Sequence, residues 1–219
     1  MGVVHSDRMG AMQEIREGES QTREFKFRVD SQRKIAKTLV AFANTDGGTI
    51  YIGVKDNGVI AGVRGEEELF MLEGAADLHT RPAVKFEVEA LELDGKMVLA
   101  IHVPKSQTPP HEAHEDADSI AAGAREWTAY FRQGAANFRA NGVLMEYWRT
   151  VEVAKSLGEA DQAVLTVLRE SEEACSVSQI IKKSGLPAKS VEHALATLIA
   201  WDAVEFHAGE KGIRFALPS

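Results

Sequence analysis

The chain has 219 residues, 44% of them apolar and 26% charged, which suits one large or two small packed domains and excludes wholesale disorder. A formal net charge of −8 counts against a protein that coats DNA by charge alone, because counterion release needs clustered Lys and Arg. The single cysteine, Cys175, excludes an internally disulfide-stapled domain, no apolar run approaches the roughly 18 residues that span a bilayer, and polar Met1–Gly18 has no signal-peptide core, which leaves a soluble cytoplasmic protein without membrane contact as the expectation.

Residues 1–16 read as a leader, frayed or helical. Ser20–Val29 alternates, with Phe25, Phe27 and Val29 on one face and Thr22, Glu24, Lys26 and Arg28 on the other, the pattern of a half-buried strand. Ser31 is the expected N-cap of an amphipathic helix in which Ile35, Leu39 and Phe42 recur at helical spacing, and Arg33, Lys34 and Lys37 form an outer basic stripe. The helix stops at Asn44-Thr45-Asp46-Gly47-Gly48. Thr49–Val54 and Val59–Val63 follow as strands around an Asp56-Asn57-Gly58 turn, then a helix over Glu66–His79. Val84–Leu93 and Met97–Val103 are strands joined at Asp94-Gly95. Pro104–Glu126 reads as a loop, Trp127–Arg132 as a strand and Gly142 to about Leu157 as a helix.

After Gly158 the pattern changes to short helices over Asp161–Glu170, Val177–Ser184 and Ala188–Trp201. Two short alternating segments, Ala203–His207 and Gly212–Leu217, then flank a Gly209–Gly212 turn. Three helices and a two-stranded wing predict a winged helix-turn-helix. The expected organisation is a first domain over 17–157 and a winged helix over 158–219.

The winged segment holds six Lys and Arg against nine Asp and Glu, a net of −3. Lys182 and Lys183 lie on its second helix, Lys189 begins the third beside Ser190, Glu192 and His193, and Lys211 and Arg214 lie on the wing. This set supports DNA contact; the sparse basic charge at the third helix equally suits dimerisation or protein contact. His111 and His114, among Glu112, Glu115 and Asp116, have metal-like spacing but fall in a proline-flanked acidic loop, which more often is simply solvated. Asn44–Gly48 reads either as a backbone nest for phosphate or, preferably, as a glycine turn. No Gly-x-x-x-x-Gly-Lys-Ser/Thr motif is present.

An ordered set of segments then narrows the reading: Glu19-Ser20, Glu24-Phe25-Lys26, Ala41 to Gly48, Tyr51 to Gly58, Val103-Pro104-Lys105-Ser106, Pro110-His111, and Tyr130-Phe131-Arg132-Gln133-Gly134. Together these resemble the Alba-like domain of the schlafen group, over roughly residues 17–150. The acidic stretch after His111 departs from the family pattern. The resemblance implies an α+β fold, a mixed sheet with flanking helices, and a nucleic-acid-binding role. Bacterial members are usually described as DNA-binding or transcriptional regulators, often beside a C-terminal helix-turn-helix. Animal schlafens bind RNA, and some cleave tRNA through three carboxylates. Matched position by position, those would be Glu19, Glu24 and Asp56, holding Mg²⁺ or Mn²⁺ if the chain is a nuclease.

Lys26 and Arg132 sit in motif segments and are the better candidates for phosphate contacts. Arg33, Lys34 and Lys37 are candidates that a solvated helix face would explain equally well. The leading expectation is a DNA- or RNA-binding regulator acting as a homodimer, with no certain cofactor. Its competitors are a metal-dependent endoribonuclease and a protein-interaction module.

Overall fold

The computed structural model describes residues 8–63, 67–123, 125–149 and 156–218. The chain divides into two compact units, Met1–Arg139 and Ala140–Ser219.

The first unit runs α1 (Arg8–Glu17), β1 (Arg23–Lys26), α2 (Gln32–Asn44), β2 (Gly48–Ile52), α3 (Glu67–His79), β3 (Thr80–Arg81), β4 (Glu87–Leu93), β5 (Lys96–Val103), β6 (Glu112–His114), α4 (Ala117–Ala121), β7 (Trp127–Gln133) and β8 (Ala136–Arg139). Its strands form two four-stranded sheets, ordered β1-β2-β5-β4 and β3-β6-β7-β8. The β1–β2 pair is parallel and the other pairs are antiparallel, so the unit is α+β with one mixed sheet.

Helix α2 is the hub. The Ser31 hydroxyl accepts from the Lys34 N–H, as the N-cap pattern predicts. The helix packs against α3, β5, β6, β7 and β8, so every residue from Thr38 to Asn44 is buried. An outer basic stripe therefore exists only on its first two turns. Ile35, Leu39, Phe42, Ile50, Ile52 and Ile101 share one core, each side chain contributing about 1.5–3 kcal/mol of burial. Helix α1 covers the opposite face of the first sheet, where Ala11 and Ile15 pack with Phe25, Tyr51, Leu91 and Val98.

Both faces of β1 are thus covered, which corrects the half-buried reading of Ser20–Val29. By register Glu24 lies opposite Ile50 and shares its face, and Glu24 is buried. The strand also ends early. The N–H groups of Gly53 and Val54 both donate to the Lys26 carbonyl, closing the ladder there, and Phe27 turns out 45% exposed. The expected return strand over Val59–Val63 is reduced to a single Val54–Ile60 bridge. Pro104–Glu126 is not all loop: it contains β6 and α4, the latter capped by the Asp116 carboxylate accepting from the Ser119 N–H at 2.7 Å.

The second unit holds α5 (Gly142–Arg149), α6 (Glu159–Arg169), α7 (Val177–Ser184), α8 (Ala188–Ala200) and an antiparallel hairpin of β9 (Glu205–Gly209) and β10 (Gly212–Ala216). Val164, Leu168, Ile180, Val191, Leu195, Leu198 and Phe215 form its core, and Val143 of α5 is part of it. The expected boundary at 157/158 falls C-terminal to α5. Residues 150–155 of the expected Gly142–Leu157 helix lie outside the described residues. Among the described residues no helix is long and apolar enough to cross a membrane.

Candidate nucleic-acid interface

The motif segments of the first unit converge on Arg132, whose side chain is fully buried. Its Nη1 lies 2.8 Å from Glu24 Oε2 and donates to Asn137 Oδ1, while Nε and Nη2 donate to the carbonyls of Ser20 and Arg23. The guanidinium also lies over the Phe42 ring, 4.9 Å from its centroid. The Arg132 backbone is fixed as well, its N–H donating to Thr45 Oγ1 and its carbonyl accepting from Gln21 Nε2. Arg132 is therefore an internal tie between β7, β1 and the end of α2. Glu24 takes its second contact from Lys26 Nζ, and the Lys26 side chain keeps 36% exposure.

Asn44–Gly48 is a packed glycine turn. Asn44 Nδ2 donates to the carbonyls of His111 and Tyr130, and its Oδ1 accepts from the His111 N–H. Gly47 has φ +74°, and a Cβ there would stand 2.7 Å from the Val103 carbonyl oxygen. Asp46 accepts from Gln21 and sits 3.8 Å from Lys105 Nζ.

The three carboxylates matched to a nuclease site do not assemble as a metal site. Glu24 is neutralised by Arg132 and Lys26, Glu19 accepts from the Phe25 N–H at 2.9 Å, and Asp56 is exposed in the turn beyond β2. Among the described residues no group of three or more His, Cys, Asp or Glu is placed to hold a metal ion.

Of the helix cations, Lys34 is exposed and Arg33 is half-buried with its Nε enclosed. Lys37 turns inward to Glu115 at 2.7 Å and Asp116 at 3.5 Å, and lies 5.6 Å from the Tyr130 ring centroid. Burial pulls the Lys37 ammonium down, but the Glu115 hydrogen bond and the neighbouring negative charge outweigh it and hold the group above its ordinary value. Glu115, fully buried, also accepts from the Tyr130 hydroxyl and lies 3.4 Å from Arg139 Nη2. Burial raises its pKa, yet Lys37 and Tyr130 together hold it below the usual carboxylate range.

His111 is structural, bonded to the Pro82 carbonyl and Ser106 Oγ, each at 2.8 Å. His114 packs edge-on to Trp127 and His79. Gln21 carries no signal in the sequence; Asn44 and Tyr130 lie in the motif segments and Glu115 in the acidic stretch after His111, but none of these patterns foretells the contacts the side chains make.

In the second unit, Lys182, Lys189 and Lys211 are exposed. Lys183 Nζ donates to Ser171 Oγ, and Arg214 donates to the Ala174 carbonyl and Gln179 Oε1, fastening β10 to the start of α7. Gly185, at φ 71°, ends α7 and turns the chain into α8. Helix α5 lies along the flank of α8 that carries Glu192 and His193: Glu146 pairs with His193 at 3.0 Å, and the Glu192 carboxylate sits over Gly142.

The family model described as Schlafen, AlbA_2 matches residues 19–141. No curated protein matches the chain. Among solved structures, the DIP2311 protein from Corynebacterium diphtheriae is 19% identical over 74% of this chain and 39% of that one, with a TM-score of 0.45. The N-terminal domain of a RecG-related protein from Nitrosomonas europaea is 18% identical over 62% and 94%, with a TM-score of 0.39. BpsR from Bordetella bronchiseptica, whose DNA binding is regulated by 6-hydroxynicotinic acid, is 22% identical over 35% and 55%, with a TM-score of 0.27. The chain thus spans well under half the length of the first of these structures. The match over 19–141 takes in more than half of the chain and every residue of the Glu24–Arg132 knot, and the chain belongs to the Schlafen, AlbA_2 family.

Proposed function

We propose that the chain is a nucleic-acid-binding protein of the regulator type, whose second unit is a winged helix-turn-helix that contacts duplex DNA. The observation that carries this reading is the arrangement α6, α7, Gly185 turn, α8, then the β9–β10 hairpin, with Lys182, Lys189 and Lys211 all exposed on it. A short turn between two helices followed by a hairpin is the geometry by which such modules set a helix in the major groove and a wing beside it. Three ammonium groups suit phosphate contacts, which position a module without reading bases. Membership of a family whose members are associated with nucleic acid supports the same reading.

The test is duplex DNA binding by fluorescence anisotropy between 50 and 200 mM salt, for the full chain and a Lys182→Gln/Lys189→Gln/Lys211→Gln variant. Each lost phosphate contact lowers the slope of log K against log salt by about 0.9, so the variant's slope is shallower by roughly 2–3. An unchanged affinity and slope would overturn the assignment.

A further inference from the structure

We propose that Phe27, with Lys55 against its ring and Arg28 next in the chain, is a stacking platform for an unpaired base, so that the first unit takes single-stranded nucleic acid. This rests on the nucleic-acid reading above and specifies the form of nucleic acid that the first unit takes. The alternation of Phe25, Phe27 and Val29 assigns Phe27 to the interior, and the closed ladder at Lys26 instead holds it 45% exposed. Lys55 Nζ lies 5.7 Å from the Phe27 ring centroid, and Arg28 is exposed.

The platform is rigid. The Lys55 N–H donates to the Val59 carbonyl at 3.0 Å and the Gly58 N–H to the Lys55 carbonyl at 2.7 Å. At the base of the turn, Gly53 packs so closely on Gly62 that a Cβ would stand 2.9 Å from the Gly62 carbonyl carbon. The turn that carries Lys55 is therefore pinned where β1 and β2 end side by side, and the carboxyl ends of parallel strands are where open sheets offer ligands room.

An aromatic face beside cations is the element by which proteins hold single strands: the ring stacks on a base while Lys and Arg take the adjoining phosphates. The Lys55 ammonium then moves from the ring to a phosphate, exchanging an exposed cation–π contact for a stronger charge pair. A duplex keeps its base faces stacked internally, so an exposed ring has no such partner there.

The experiment measures binding of the full chain to a labelled oligothymidylate, the matching oligouridylate and a duplex of equal length, with Phe27→Ala and Phe27→Trp variants. Phe27→Ala is expected to weaken single-strand binding roughly tenfold and leave duplex binding within about twofold. Phe27→Trp is expected to retain single-strand binding and show indole fluorescence quenched by the bound strand. If the wild type binds single strands and Phe27→Ala binds them equally well, or if it binds duplex alone, the platform is overturned and the nucleic-acid reading stands. If the wild type binds neither form, both fall.

Discussion

Arg132 Nη1 and Glu24 Oε2 meet at 2.8 Å, with the Arg132 side chain fully buried and the Glu24 side chain nearly so. Taking two charges out of water is offset only by close pairing and by further hydrogen bonds, and here Ser20, Arg23, Asn137 and Lys26 supply those bonds. Arg132→Met therefore leaves Glu24 with Lys26 alone and is expected to destabilise the first unit by roughly 3–5 kcal/mol. The Glu24→Leu/Arg132→Met pair is expected to recover much of that loss, because no buried charge remains without a partner, while Lys26 can turn to solvent. Urea denaturation of the three proteins decides it; a single-variant loss under about 1 kcal/mol would show that the pair does not hold β1 to β7.

Asn44 offers a second internal tie that substitution should expose. One side chain satisfies the His111 N–H and two buried carbonyls, those of His111 and Tyr130. Asn44→Ala leaves all three without partners, at a cost of roughly 3 kcal/mol or more. Asn44→Asp keeps the His111 bond but aims a carboxylate oxygen at two carbonyls, and is expected to be no milder. Amide exchange at His111 should accelerate in both variants; protection equal to wild type would refute the tie.

The Asp116 cap gives a pH signature. The Ser119 N–H and hydroxyl, with Lys37 beyond them, hold the Asp116 carboxyl down to about 2 from an ordinary 3.8. With the folded value below the unfolded one, the unfolded chain binds the proton first, so this contribution is complete above about pH 3.8 and is lost as pH falls towards 2. Asp116→Asn keeps an acceptor for Ser119 without the charge, so its stability should converge on wild type near pH 2 and fall below it above pH 4. A gap that persists at pH 2 would count against the cap. Higher up the scale, burial, Arg33 and His114 hold His79 below its ordinary 6.5, so a His79→Gln variant should lose less stability than wild type as pH falls below 6.5.

Much of this architecture was legible because short-range chemistry writes it locally. Ser31 caps α2, Asp94-Gly95 turns with positive φ at both residues, and the apolar spacings of α6, α7 and α8 match the core they form. What failed were inferences about faces. Alternation along β1 separates Phe25 from Glu24 and sets Glu24 beside Lys26 on a polar face, but it cannot tell that α1 will cover one side and β7 the other, so Arg132 reads as a phosphate ligand when it is Glu24's buried partner. Helix α2 is amphipathic as its spacing predicts, with Arg33, Lys34 and Lys37 outside its buried set, while packing by two sheets confines that polar surface to the first turns. Strand β6 escaped notice because Glu112 and His114 flank one small apolar residue, Ala113, and only pairing with β7 makes it a strand. For Glu19, Glu24 and Asp56, family correspondence supplied the positions and nothing local foretold that Arg132 would neutralise the middle one.

The placement of α5 yields a prediction about where the second unit begins. Val143 is fully buried and Tyr147 partly so against the α6–α8 core, and Glu146 pairs with His193. The ion pair is exposed and contributes little, so the apolar contacts decide the outcome. A fragment of residues 158–219 lacks them and exposes the flank of α8, whereas a fragment of residues 140–219 keeps them. Losing one fully buried and one half-buried side chain corresponds to about 2–4 kcal/mol, so the shorter fragment should unfold at a clearly lower urea midpoint. Val143→Ala in the longer fragment should move the midpoint part of the way. If the two fragments unfold together, α5 adds nothing to the second unit, and the break after Gly158 marks its true start.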